Sequence, residues 1–414
     1  MRTQPIRTFR RTTIGLLNAT LLSATALGAW ADETSPWYIG ASQGFTHDSN
    51  VYRIPNGAAD NYSTTSLLGG FDQPIGRQRL HATAQVGYNK YQDQSTLDNT
   101  SYSVNAGWDW ATIEKLSGSV NASASQSLAT FNGNSVQPTT ERNLLKAEQI
   151  NASVRWGGDS LVSVFGNYGH SRVRFSALSS LPSDSSGDTA SVGANYRLSA
   201  DLTVGSAVRF TRTDSPYAIP VVANPTGPGD YRADSSNGRN LDLLADWRYS
   251  AQTNVSARLS WTHQTYTVSP RDFSGLTGAV SANYAPTAKL AFNASISRDA
   301  GTNGSYFNVI NPSTGDRTTY LSQNSTTTDS LTLGATYAAT AKIGVNAGFA
   351  YRRSTYAAGN TDYADNFRRA TLGVNYAVTR SALLACQLSR ESRSSIVNGY
   401  DANVFGCLAQ ITLR

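Results

Sequence analysis

The chain has 414 residues, 39% of them hydrophobic, and Gly, Ser, Thr, Asn and Ala dominate it. A water-soluble domain of this length would need a richer core. Past the N-terminus, nothing approaches the about 20 apolar residues of a helical span, which excludes a helical membrane protein. The formal charge of +6 comes with no basic run and no basic-aromatic stripe, which excludes nucleic acid as a partner.

The first residues read as a secretory signal. Arg2, Arg7, Arg10 and Arg11 form a basic n-region, Ile14 to Leu27 an interrupted apolar stretch, and Ala29-Trp30-Ala31 a small-residue cleavage site. Residues 1–31 are expected to be removed, leaving 32–414 as the working domain with 30 basic and 28 acidic residues.

From there on a short unit recurs. An aromatic ends one alternating stretch and an aliphatic opens the next six positions later: Trp110 to Leu116, Trp156 to Val162, Tyr196 to Leu202, Tyr249 to Val255, Tyr284 to Leu290, Tyr337 to Ile343. Period-2 alternation defines strands with two different faces. In chain order they are expected at 36–47, 62–72, 78–91, 100–111, 116–128, 144–156, 161–175, 188–198, 202–213, 238–250, 254–268, 275–285, 289–299, 329–338, 342–355, 367–377, 381–392 and 402–414. Short connections alternate with longer ones rich in Gly, Asn and Ser, such as 129–143, 214–237 and 300–328. The expected fold is therefore all-β: a transmembrane antiparallel β-barrel of about 18 strands in the bacterial outer membrane, with short periplasmic turns and long extracellular loops. Both chain ends fall on the periplasmic side, and the last strand closes on the first. A long loop such as 214–237 or 300–328 is the expected constriction.

Parity assigns the faces. Val104, Ala106 and Trp108, Ile150, Ala152 and Val154, and Leu331, Leu333 and Ala335 share the lipid face. Trp110, Trp156, Tyr196, Tyr249, Tyr284, Tyr337 and Tyr376 form an aromatic girdle where strands meet short turns. In 161–175, Val162, Val164 and Tyr168 conflict with Val173 and Phe175, and a bulge would reconcile them. The inward face is polar and made of small residues. Its candidate lining includes Arg155, Arg197, Arg209, Arg248, Arg258 and Arg352, with Asp109, Asp242, Asp246, Asn195 and Asn283. The arginines read either as an ion-pair ladder that keeps the pore polar and rigid or as a track for acidic groups on a passing solute.

Catalytic machinery is not legible. His47, His81, His170 and His263 have no partner at metal-binding spacing, and there is no G-x-S-x-G elbow. His47-Asp48 reads as a loop hydrogen bond ahead of a catalytic or metal dyad. No enzyme activity, metal or cofactor is expected. Cys386 and Cys407 share the outer face of the last hairpin, where directly opposed residues reach bridging distance. A disulfide and a pair of unlinked, lipid-shielded thiols both fit this placement.

Two segments carry a family resemblance: Thr46-His47-Asp48-Ser49-Asn50-Val51-Tyr52-Arg53 after the first strand, and Arg271-Asp272-Phe273-Ser274-Gly275 in the middle. With the signal, the length and the final strand, they resemble the outer-membrane barrel of exosortase-associated exopolysaccharide operons, the EpsL type, within the wider porin-like barrels. The family often has a second acid where this chain has Ser49. The resemblance implies export of a secreted polysaccharide, with outer-membrane lipid around the barrel and periplasmic export-machinery proteins at the short turns. A diffusion porin for small solutes is the alternative that the same lumen supports. An outer-membrane hydrolase and an adhesin using the long loops rank below both.

Overall fold

The computed structural model describes residues 35–413, except 130–139, 159, 223–224, 270–271, 301–306, 311–316, 321–326, 359–360 and 396–398. The expected signal at 1–31 and Arg271 of the second motif lie outside the described residues.

Strands β1 to β10 are Trp37–Asp48, Asp60–Ile75, Gln78–Tyr91, Asn99–Ala111, Leu116–Leu128, Leu144–Trp156, Val162–Phe175, Ser185–Arg197, Leu202–Pro220 and Tyr231–Ser250. Strands β11 to β20 are Thr253–Tyr266, Phe273–Thr287, Leu290–Ala300, Phe307–Ile310, Arg317–Tyr320, Thr327–Ala338, Ile343–Ala358, Thr361–Ala377, Ala382–Ser394 and Tyr400–Leu413. Eighteen of them form one antiparallel sheet in which each strand pairs with its chain neighbours. β1 pairs with β2 on one side and with β20 on the other, so the sheet closes without a free edge. β14 and β15 form a separate ribbon within the β13–β16 connection.

All eighteen expected strands are present, but several run further than alternation revealed. β9 and β10 stay paired up to Pro220 and Tyr231, so most of the expected loop 214–237 is wall rather than an inward fold. β17 and β18 likewise meet across residues 359–360. These extensions carry polar residues on the outward face, such as Arg212 and Asp214, so the hydrophobic alternation stops while backbone pairing continues. The expected bulge in β7 is absent, because its register with β6 and β8 is unbroken. Val162, Val164 and Tyr168 face outward, whereas Val173 is buried with Ala129 and Leu145, with Phe175 packed against them, in an inward apolar cluster.

Side chains distinguish the two ends. At the short turns a hydroxyl three residues past the girdle aromatic closes the chain on itself. Ser199 accepts from the N–H groups of Asp201 and Leu202, Thr287 from Lys289 and Leu290, Thr340 from Lys342 and Ile343, and Thr379 from Ser381 and Ala382. Such Ser/Thr turns need few residues and hold the six-residue spacing after Tyr196, Tyr284, Tyr337 and Tyr376, whereas the turn after Trp156 uses the left-handed Gly157 and Gly158. At the other end aspartates accept backbone N–H groups across the longer connections: Asp60 from Gln94, Asp98 from Tyr91, Asp184 from Phe175, Asp234 from Val268 and Asp272 from Tyr266.

The outward face is apolar between two rows of aromatics. Trp156, Tyr196, Tyr249, Tyr284, Tyr337 and Tyr376 are exposed at the short-turn end, and Trp110 lies beside Trp108, ring centroids 6.2 Å apart. A second row, including Phe45, Tyr88, Tyr168, Phe210, Trp261 and Phe405, marks the opposite edge. Cys386 lies directly opposite Cys407, and their sulfurs are bonded with a Cα–Cα distance of 4.1 Å.

Candidate functional site

The inward face grades from open to closed. On β11, Asn254 is exposed, Ser256 and Arg258 are half-buried, and Ser260, Thr262 and Gln264 are buried. The order recurs on β16 from Thr336 through Thr332 to Ser330 and Thr328, and on β3 from Thr83 through Gln85 to Asn89. Eighteen strands enclose enough space for an aqueous channel. Polar side chains are therefore wet in the short-turn half and packed in the long-connection half.

The segment that follows β1 packs into this half. Val51, Tyr52 and Arg53 are buried, and Val51 and Tyr52 pack with Tyr91 and Leu97. Asn50 shapes the segment, donating to the carbonyls of Ile54 at 2.7 Å and Asp401 at 3.0 Å. Arg53 has a left-handed φ of 52°, uncommon for a side chain of this size. Its guanidinium contacts both Asp48 oxygens at 2.8 Å and donates from Nε to Glu391 Oε2 at 2.8 Å. Arg369 holds the other Glu391 oxygen at 3.1 Å. Asp48, Arg53, Glu391 and Arg369 thus join the first extracellular connection to β18 and β19 by charged hydrogen bonds away from bulk water.

Further ion pairs line the same half. Arg393 grips Asp365 with two bonds of 2.9 and 2.8 Å. Arg209 grips Asp242 with bonds of 2.8 and 3.1 Å. Arg258 donates to Ser260 at 2.6 Å and to Asp299 on β13 at 3.1 Å, with the small Ala279 of β12 between them. Arg352 is buried, 5.8 Å from the centroid of the Phe367 ring.

The other expected lining residues lie in the open half. Arg155 is within electrostatic reach of Asp246, which also bonds Ser256. His81 Nδ1 is 3.9 Å from Asp109. Asn195 leans over Gly205 on the neighbouring strand, where a Cβ would collide with its side chain, while Asn283 is exposed opposite Asn293. Arg197 is half-buried on the inward parity of β8. Arg248 departs from the expected ladder: the register shifts after Trp247, and Arg248 is exposed at the short-turn rim. Asp242 pairs with Arg209, and Arg258 with an acid that the parity reading omitted. His47 and Asp48 point to opposite faces, so they form no dyad; His47 bonds Asn61 at 2.9 Å. Among the described residues no group of three or more His, Cys, Asp or Glu side chains is placed to hold a metal.

Burial pushes the Asp184 carboxyl, in the β7–β8 connection, up to about 6, against the opposing bond from the Phe175 N–H. Asp230, in the β9–β10 connection, is held below the usual carboxylate range by bonds from the Thr226 backbone and hydroxyl.

Residues 72–274, just under half of the chain and reaching from β2 into β12, match the family model described as "Putative outer membrane beta-barrel porin, MtrB/PioB". The fold is similar to OpdO of Pseudomonas aeruginosa, at 10% identity over 91% of this chain and 96% of that one, with a TM-score of 0.46. OccK5 (OpdH) of the same organism gives 9%, 91%, 98% and 0.43. The siderophore receptor PirA of Acinetobacter baumannii gives 6%, 92%, 81% and 0.44. No curated protein matches the chain. Closed barrel, apolar belt and family match define an outer-membrane β-barrel of porin type.

Proposed function

We propose that this barrel is a diffusion channel for small polar solutes, narrowed in its extracellular half by charged residues. The observation that carries this reading is the wall itself: exposed polar side chains lead into a buried zone pinned by Arg53, Glu391 and Arg369. Fixed arginines and carboxylates at a narrowing select solutes by size and charge.

Export of a polysaccharide is the second reading, favoured by the place of the resemblance motif. The segment that carries it, Thr46 to Arg53, ends in the buried Arg53, which bonds Glu391 across the packed half of the barrel. A polymer would pass only after Arg53 lets go of Asp48 and Glu391, and periplasmic export proteins docking at the short turns would supply that force. A deletion strain separates the two. The channel reading expects slower uptake of small solutes with surface polysaccharide intact. Loss of surface polysaccharide with unchanged uptake would put export in its place.

A further inference from the structure

The outward face carries a charge pattern that a channel does not need. Below the upper aromatic row, outward strand positions are apolar or small and polar. Immediately beyond it, at the long-connection end, exposed cations stand on one strand after another. Two groups are dense. Lys146 on β6 lies directly opposite Arg174 on β7, with Arg172 two residues away on the same face and all three exposed. Arg353 on β17, Arg368 on β18 and Arg390 on β19 form a second exposed group on adjoining strands, with Arg368 above the ring of Tyr351. Acids stand nearby as well: Glu148 faces Arg172, Asp184 lies within electrostatic reach of Arg174 and Arg172, and Asp329 lies between Arg298 and Arg353 while bonding Arg298. Asp188 on β8 and Asp401 on β20 share the outward face on the adjoining strands. At the short-turn end the cations sit in the turns instead, as with Lys115, Lys289 and Lys342.

Like charges directly opposite on a sheet repel; Lys146 facing Arg174 is offset in part by Asp184, which lies within electrostatic reach of Arg174 and Arg172, and an anion bound beside them would offset it further. Their height fixes the anion. The apolar belt sets the bilayer level, so the row just above it stands among the headgroups of the outer leaflet. We infer that the two groups bind the phosphates of the outer-leaflet glycolipid, lipopolysaccharide, whose acyl chains lie against the apolar wall below. Guanidinium groups suit phosphate because they donate two parallel bonds, and the neighbouring aromatics suit the boundary between acyl chains and sugar.

The test uses the full chain in detergent micelles, with bound lipid counted by native mass spectrometry. The probes are bis-phosphorylated lipid A, the same lipid stripped of phosphate, and inorganic phosphate. The variants are K146Q/R172Q/R174Q and R353Q/R368Q/R390Q. Their side chains are exposed, so barrel formation, read by heat-modified gel mobility, is expected to be unchanged. The wild type should retain lipid A at two sites, and each variant should weaken the one site it alters by about a hundredfold in affinity, as three basic residues at an anionic surface imply, while the other site stays occupied. Equal retention of stripped and phosphorylated lipid by the wild type would overturn the inference, whether or not a variant folds. So would full displacement by inorganic phosphate, which would mark a free-anion site, or equal affinity in the wild type and both variants.

Discussion

One-residue steps along a strand decide what a side chain meets. Leu333 is exposed on the outward face and Thr332, its neighbour, bonds Ser295 on the inward face. Leu333→Arg should therefore cost about 2–4 kcal/mol if it lies at the bilayer midplane. Thr332→Arg should fold and change conductance instead. Urea titration in lipid vesicles checks both, and equal folding defects would reverse the face assignment. Asp184 makes a separate pH prediction. Its folded pKa, about 6, lies above the ordinary carboxylate value, so the folded form binds the extra proton between about pH 4 and 6. The stability contributed by that proton is fully present below this window and lost as pH rises through it. The β7–β8 connection should resist limited proteolysis better at pH 5 than at pH 8, and Asp184→Asn should remove the difference.

At the scale of elements, several hairpins have short turns closed by a hydroxyl, and several of the longer connections are held by aspartate. The short-turn rule puts 286–288 in the periplasm, and a tag there should be unreachable from outside intact cells. A tag at 225–228, beyond β9, should be labelled. Surface labelling at 287 would invert the barrel. The last hairpin adds a covalent tie beside the closing seam, since Cys407 also lies opposite Phe45 of β1. Thiol counting on unfolded, unreduced protein should find none, and two free thiols would contradict the bond. The strands were legible because lipid outside and water inside impose opposite demands on neighbouring residues. Above the bilayer both faces are polar, which hid the extensions of β9, β10 and β18. For the same reason Asp365 and Arg393 lay in stretches read as loop, and Glu391, Arg369 and Asp299 were left out although their parity matches that of the inward residues around them. Parity places a side chain on a face but not beside a partner. Its ladder holds between Asp242 and Arg209, whereas Arg258 bonds Asp299, an acid the parity reading omitted. The segment at 46–53 stood out as a motif, yet only its three-dimensional course relates Asn50 and Arg53 to the wall.

For the whole molecule, the closed sheet, the apolar belt and the graded inward face describe a barrel whose inward side chains are exposed at the short-turn end and packed together at the long-connection end. The charged tie there concentrates in one place, where Glu391 is shared by Arg53 and Arg369. Removing one partner of a buried pair typically costs about 3–5 kcal/mol at that site, which favours an open first connection over a closed one. Single-channel conductance in planar bilayers therefore tests the account most directly, comparing the wild type with Arg53→Ala and Glu391→Gln. The account predicts small, discrete steps for the wild type and clearly larger steps for both variants, with barrels that remain folded by heat-modified mobility. Steps of the same size in all three proteins, or no conductance in any of them, would contradict it.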